Sequence, residues 1–399
     1  MIFCDFLIIG GGIIGLTVSK KIKELFHGSR VILLEKESDC GLHASGRNSG
    51  VLHAGFYYSE NSLKAQFSRD GNRLMTQYCF DKNLKINKCG KLVVAKNESE
   101  LNRLDNLLER GKINKVDLKK ISKKEAQEIE PRVKTFESAI FSPTTSSIDP
   151  KEVMDSLKED ALAKGVEIHL NTGYLKRYGN AIITNKGTFE CRFFVNAAGL
   201  YSDKIAMDFG FSKSYRILPF KGLYLYSEEP PGNLKTHIYP VPDPQYPFLG
   251  VHFTITVDGR IKIGPTAIPA FWREQYSGFD NFDLSESMEI IVRQLGLLTA
   301  SSFNFKQLAF EELKKYSKSY MTNLASDLVS EISFNQFSWG KPGIRAQLID
   351  LEKRRLEMDF ILEGDEKSLH ILNAVSPGFT CAFPMAEYVC KRIKETANF

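Results

Sequence analysis

The start of the chain restricts its fold more than any other stretch. A short apolar run, Phe6-Leu7-Ile8-Ile9, passes at once into Gly10-Gly11-Gly12-Ile13-Ile14-Gly15. An apolar run of this length, bounded by a turn signal, reads as a buried parallel strand. Ile14, Val18, Ile22 and Leu25 then recur every three or four residues, the mark of a helix with one buried face. Val31-Ile32-Leu33-Leu34 forms a second strand, ended by Glu35.

Strand, glycine turn, helix, strand and acid follow in the order a dinucleotide requires. Gly10 makes the tight turn, Gly12 lets the backbone approach a pyrophosphate, and Gly15 lets the helix pack close to the strand. The helix N-terminus, with Ile14 in its first turn, offers N–H groups and partial positive charge to phosphates. Glu35 is placed to accept hydrogen bonds from both ribose hydroxyls, with Lys36 beside it. The plainer alternative is a glycine turn in an unliganded α/β domain. The next segment separates FAD from NAD. Residues 44–55, Ala-Ser-Gly-Arg-Asn-Ser-Gly-Val-Leu-His-Ala-Gly, are small, polar and glycine-rich. Such a stretch lies flat along a long cofactor, which makes Ser45, Arg47, Asn48, Ser49 and Gly50 candidate FAD contacts. An NAD enzyme has no need of it there.

The 399 residues suffice for two domains, each with its own core. A hydrophobic fraction of 43% and a charged fraction of 25% are ordinary for a globular protein. The net charge of +5 suits an anionic small substrate or loose contact with an acidic membrane face. It is too small for nucleic acid, which calls for a concentrated basic stripe. Seven cysteines occur with no C-x-x-C and no zinc spacing, so reduced thiols and no metal site are expected. No apolar run reaches the roughly 18 residues of a spanning helix. The stretch from Phe6 to Leu16 lacks the positive flank of a signal peptide. A cytoplasmic protein is expected, with peripheral attachment to the inner membrane left open.

From Gly46 to Gly55 the chain resembles the D-amino-acid-oxidase-like FAD superfamily, and most of all its L-2-hydroxyglutarate dehydrogenase/oxidase branch. Further stretches match that branch in order. Tyr57-Tyr58 leads to Ser62-Leu63-Lys64-Ala65. Tyr239-Pro240-Val241-Pro242-Asp243-Pro244 leads to Phe248-Leu249-Gly250-Val251-His252-Phe253-Thr254, the most specific block. Gly264-Pro265-Thr266-Ala267 leads to Phe271-Trp272-Arg273-Glu274. Gly343-Ile344-Arg345-Ala346-Gln347 is followed by Asn373-Ala374-Val375-Ser376-Pro377-Gly378. Three departures stand out. Ala44 and Ser45 replace the family's usual Gln and Thr. Lys221-Gly222-Leu223 replaces Arg-Gly-Glu, and Phe379 replaces a small residue. The last two touch the expected substrate pocket and leave the cofactor assignment intact.

Strand–helix–strand patterning recurs along the chain. Leu92–Ala95 reads as a strand, and Leu101, Leu104, Leu107 and Leu108 mark a helix closed by Gly111. Ser122 with Glu125 forms a capping box, and Asp149-Pro150 starts a helix. Phe193–Asn196 is a strand that ends in Ala197-Ala198-Gly199, with Ala198 and Gly199 expected at the cofactor. Residues 216–281 alternate like antiparallel strands, and helices follow at 284–328. The expected fold is α/β, mixed α+β overall. A Rossmann-type FAD-binding domain (1–86, 145–215, 340–399) is threaded by an antiparallel-sheet substrate domain (87–144, 216–339). The flavin ring is expected at their junction.

Oxidising a 2-hydroxy acid requires a base for the hydroxyl proton and a cation for the carboxylate. Histidine suits the first task. His252 is the leading candidate and His53 the next, because both fall in recognisable motifs. The alternative is that either histidine braces the FAD loop. Arg345, after the Pro342-Gly343 turn, is the expected carboxylate clamp, since a guanidinium grips a carboxylate with two bonds. Gly343 is placed with it at the cofactor. Lys221, Arg273 and Tyr239 are further substrate candidates. Gly378, Phe379 and Thr380 precede a C-terminal helix whose N-terminus can face the flavin. Nothing marks Cys381 as an activated thiol, so non-covalent FAD is expected. The reaction implied is oxidation of a 2-hydroxy acid, best represented by L-2-hydroxyglutarate. An amine or amino-acid oxidase on the same scaffold is the alternative, and a flavin-binding protein without turnover is the second. Oxygen, a quinone and an electron-transfer flavoprotein all stay open as electron acceptor.

Overall fold

The opening apolar run forms the strand Ile2–Ile9, central to a mainly parallel sheet in a computed structural model that describes residues 1–397 apart from Gln245, Ala300 and Ser302. This strand pairs in parallel with Val31–Leu34 on one side and Gly187–Asn196 on the other. Glu167–His169 extends the parallel set beyond Val31–Leu34, and Ser368–Ile371 extends it beyond Gly187–Asn196. Antiparallel strands Tyr174–Tyr178, Ala181–Thr184 and Leu362–Gly364 complete eight. Val31–Leu34 is apolar at every position because it is buried throughout, as in sheets covered on both faces. The predicted first helix runs Ile13–Leu25 and packs with Pro150–Ala163 and the C-terminal helix Ala382–Thr396.

Chain contacts divide the molecule into two compact units. The first comprises Met1–Asn48, Pro150–Pro219 and Arg345–Phe399; the second comprises Ser49–Asp149 and Phe220–Ile344. The first crossover falls at Asn48, so residues 49–86, expected with the FAD-binding segments, pack in the second unit. The cause is pairing: Val51–Leu52 joins Ser146–Ile148, which also joins Ile86–Asn87. Asn72, on the helix Leu63–Asp81, locks this arrangement by donating to Leu52 O and Thr144 O, both at 3.1 Å.

The second unit is built on another eight-stranded sheet. Its strands run in the order Phe337–Trp339, Leu225–Ser227, Ile261–Gly264, His252–Ile255, His237–Pro240, Lys91–Val94, Ser138–Ser142, Lys119–Ser122. Successive side chains of a strand point to opposite faces. Leu92, Val94, Leu225, Ile238, Phe253, Ile255, Ile261 and Ile263 share one face and form a core with Met321, Ala325 and Ala126 from covering helices. The register (Ile238 opposite Phe253, His237 opposite Lys91, His252 opposite Gly264) puts Lys91, His237, Tyr239, His252, Thr254 and Lys262 on the other face.

The capping box at Ser122 and Glu125 forms. The leucine-marked helix runs Glu98–Ile113, past Gly111. Gly111 serves packing, since a Cβ there would lie 2.2 Å from Leu118 Cδ1, and the left-handed residue that ends the segment is Lys115, φ +57°. The helical region expected at 284–328 is three helices, Leu284–Thr299, Phe305–Lys314 and Lys318–Ser326.

Candidate active site

The first unit builds a cradle from short-range constraints. Gly10 adopts φ +107°, and a Cβ on it would stand 2.5 Å from Ala197 O. Glycine alone lets the turn pass beside Ala197-Ala198 at the end of the neighbouring strand. Gly15 lies in the first helical turn, where a Cβ would approach Gly10 O to 1.8 Å. The helix therefore starts in contact with the strand it has just left, its N-terminus at the strand's carboxyl end.

Side chains finish the cradle. Gly12 is the helix N-cap and has no side chain to offer; the Ser45 hydroxyl accepts from Ile13 N–H at 2.9 Å instead. Buried Glu35 accepts from Gly11 N–H at 2.7 Å with Oε2 and from Glu37 N–H at 2.9 Å with Oε1. Each carboxylate oxygen keeps a second lone-pair direction for a ribose hydroxyl. Lys36 is turned to Glu37 and to His43, 3.0 Å away. Arg47 and Asn48 shape their own loop, donating to Leu42 O at 2.8 Å and to Ser45 O at 2.6 Å. Gly199 opens the short turn Gly199–Tyr201 next to Ala198. Gly378, Phe379 and Thr380 form the turn into the C-terminal helix, which meets the first helix where Thr17 Oγ1 donates to Ala382 O at 3.3 Å. A free carboxylate edge, a helix start and a backbone surface clear of Cβ atoms fit the adenine and pyrophosphate half of a flavin dinucleotide.

The second unit holds the titratable groups on the polar face of its sheet. The His252 ring stacks on Tyr239 with centres 3.8 Å apart. His252 Nδ1 lies 2.7 Å from Gly250 O. A carbonyl only accepts, so Nδ1 carries a hydrogen, and in the neutral ring Nε2 is the basic nitrogen. His237 is the reverse case: its Nδ1 accepts from Ile255 N–H at 3.1 Å, which makes it a structural link between strands. Desolvation, then the nearby charges of Lys91 and His252, push His53 down to about 3. Lys91 is fully buried, and burial pushes its amine down to about 7. The rings of Phe56, Tyr57 and Tyr239 surround its Nζ at 4.8, 4.6 and 4.6 Å.

Of the residues expected at the substrate, the fold brings His252, His53 and Tyr239 into this cluster. Arg273 is committed elsewhere: it is fully buried, with Nε 3.1 Å from Glu286, so its charge is already matched inside the protein. Lys221, also buried, belongs to the strand Tyr215–Gly222, paired with Ile268–Pro269 in a different sheet. Gly343 and Arg345 share the strand Gly343–Asp350, the glycine buried and the arginine partly exposed. Ser49 and Gly50 stand at the start of the second unit, where Gly50 O accepts from Ile148 N–H at 2.9 Å. Sequence reasoning missed Lys91 and Tyr57. The available signal was a lysine at the mouth of an apolar strand run.

A parallel sheet with a glycine cradle and a ribose acid, in a chain that also carries a buried cluster of bases, defines a dinucleotide-dependent oxidoreductase. A family model described as DAO, FAD dependent oxidoreductase, matches residues 5–392, and the chain belongs to that family. It is an FAD-dependent oxidoreductase. Among its relatives is an L-2-hydroxyglutarate dehydrogenase of Indibacter alkaliphilus, 36% identical over 96% of this chain and 97% of that one. The enzyme of the same name from Escherichia coli O17:K52:H18 is 32% identical, covering 98% and 93%. The human mitochondrial one is 34% identical, covering 98% and 89%. The fold is also that of L-alpha-glycerophosphate oxidase from Mycoplasma pneumoniae with FAD bound, at TM-score 0.77 and 23% identity over 99% and 95% of the two chains. Glycine oxidase from Geobacillus kaustophilus superimposes at TM-score 0.72 with 18% identity, over 100% and 96%.

Two expectations follow. Gly15→Ala should weaken FAD binding by at least about tenfold, because a methyl must displace the Gly10 carbonyl. Flavin absorbance retained after gel filtration measures this, and full retention would contradict the cradle. The second concerns Lys91. An unfolded chain holds this proton up to about pH 10.4, whereas the folded one releases it near 7. The penalty to folding is therefore largest below pH 7 and shrinks as pH rises. Lys91→Met should raise the denaturation midpoint at pH 7 and do so much less at pH 10; an equal rise at both would contradict the burial of a free amine.

Proposed function

We propose that this protein oxidises L-2-hydroxyglutarate to 2-oxoglutarate, with His252 as the base for the C2 hydroxyl. The observation that carries the assignment is the His252 tautomer: Gly250 O holds the Nδ1 hydrogen, which makes Nε2 the basic nitrogen of the neutral ring on a buried polar face. Stacking on Tyr239 fixes the ring plane. His53 is the weaker choice, since a group pushed down to about 3 binds a proton too poorly to act as base near neutral pH. It stays neutral and orients the substrate by hydrogen bonding. Arg345 is the guanidinium for the C1 carboxylate, a task its planar fork suits.

Bound FAD supplies the acceptor for the hydride that leaves C2. Glu35 would hold its ribose and the glycine turn its pyrophosphate, without a covalent link. The chain moves the other hydrogen: the hydroxyl proton passes to His252 Nε2, and the C2–O bond becomes a carbonyl. Buried surroundings exclude water from that transfer. The substrate rests on the names of relatives at 32–36% identity across nearly the whole chain. An amine substrate fits less well, because a cationic amine would meet the Lys91 charge.

Oxygen, a quinone or an electron-transfer flavoprotein would serve as the electron acceptor for a flavin held here. Peripheral contact with an acidic membrane face is consistent with a net charge of +5 and with Leu284, Met288, Val292 and Leu295 exposed at helical spacing. Among the described residues no helix is long and apolar enough to cross a membrane.

Under anaerobic conditions L-2-hydroxyglutarate should bleach the flavin. In His252→Asn the bleaching rate should fall by roughly a hundred- to ten-thousandfold with FAD content unchanged. Bleaching by amino acids alone, or an unaltered rate in the variant, would contradict the proposal. The protein should sediment with vesicles containing phosphatidylglycerol, and Met288→Glu with Val292→Glu should release it; sedimentation unaffected by the pair would remove the membrane assignment.

A further inference from the structure

We propose that Lys91 and Tyr57 form the receptor for the second carboxylate of the substrate, so that Lys91 selects a five-carbon 2-hydroxy diacid over a monoacid. The inference rests on the preceding reading that oxidation occurs beside His252.

Lys91 opens the strand Lys91–Val94 and is fully buried. Among the described residues its Nζ has no hydrogen-bond partner, and no acid of the chain offsets its charge. Ring faces attract a cation but leave its three N–H donors available. The Tyr57 hydroxyl is a second orphan: it is buried, lacks a partner, and belongs to a ring 4.6 Å from the Lys91 Nζ. A fold that needed only packing would place methionine or leucine at position 91, because burying an unpaired amine is costly. A buried ammonium and a buried hydroxyl of the adjacent ring, both without partners among the described residues, match the two oxygens of a carboxylate.

The placement suits the length of the molecule. Tyr239 is shared: its ring centre lies 3.8 Å from that of His252 and 4.6 Å from Lys91 Nζ. The Lys91 amine is therefore no more than about 8 Å from the His252 ring. In a five-carbon 2-hydroxy diacid, C2 and C5 are three C–C bonds apart, about 4 Å when extended. A hydrogen bond of about 2.8 Å at each end lets one molecule reach both groups. The other cations are less suited. Arg273 is neutralised by Glu286. Lys262, on the same face, has Asp258 and Asp149 acting on it, which Lys91 lacks.

Anaerobic flavin reduction of the wild-type holoenzyme, Lys91→Met and Tyr57→Phe by L-2-hydroxyglutarate and by L-2-hydroxyvalerate tests the assignment. The second acid keeps the five-carbon chain and lacks only the distal carboxylate. Lys91→Met should raise half-saturation for the diacid roughly ten- to a hundredfold and leave the monoacid unchanged or improved. Tyr57→Phe should act in the same direction with a smaller effect, and provides the test should the first variant not fold. Equal losses with both acids, or a diacid preference retained in both variants, would overturn the receptor while leaving the oxidation intact. A wild-type enzyme that neither acid reduces would remove the underlying reading as well.

Discussion

Strand alternation in the second unit is the constraint from which the chemistry follows. A sheet that buries both faces must sort its side chains by parity, and along its four central strands this one does so apart from Val93, which shares the Lys91 face. Leu92, Val94, Ile238, Phe253, Ile255, Ile261 and Ile263 take the core face. Lys91, His237, Tyr239, His252, Thr254 and Lys262 are left to the other. A slip of one residue in any of these strands would exchange the two sets. Packing of one face thereby holds the reactive groups of the other in register, and the apolar core acts as the positioning device for His252.

Electrostatics on the polar face run in one direction. Burial drives His53, His237 and Lys91 toward their neutral forms, and the charge of Lys91 adds to the effect on the two histidines. Among the described residues no acid offsets the Lys91 charge. A cluster of this kind is under-protonated by design and gains from an arriving anion. On the proposed reading, a dianionic hydroxy acid would supply that charge and, in the same event, the proton that His252 would remove. If Lys91 receives a carboxylate, the stability lost by burying its amine is offset by recognition, as is common at binding sites.

How much was legible depended on how local each feature is. The cradle could be read directly because its logic is contained in the spacing of Gly10, Gly12, Gly15 and Glu35. The capping box at Ser122 and the helix start at Pro150 were legible for the same reason. Arg273 misled because its partner, Glu286, lies thirteen residues on, in a helix whose inward face no short motif announces. Gly111 looked like a helix stop, whereas its missing side chain makes room for Leu118. Lys91 was invisible as a functional group: ahead of Leu92-Val93-Val94 it reads as a polar flank. Only the pairing of residue 91 with residue 237, far along the chain, shows that it is interior. The boundary after Asn48 was hidden likewise, because a two-residue strand, Val51–Leu52, decides it.

The most direct test of the central claim is a crystal structure of the holoenzyme with 2-oxoglutarate bound. The protonated His252 should donate from Nε2–H to the C2 carbonyl oxygen, with Nδ1–H still on Gly250 O and the far carboxylate against Lys91 Nζ and Tyr57 Oη. A product molecule bound away from the His252–Tyr239 stack, or a His252 ring turned so that Nε2 meets Gly250 O, would contradict it.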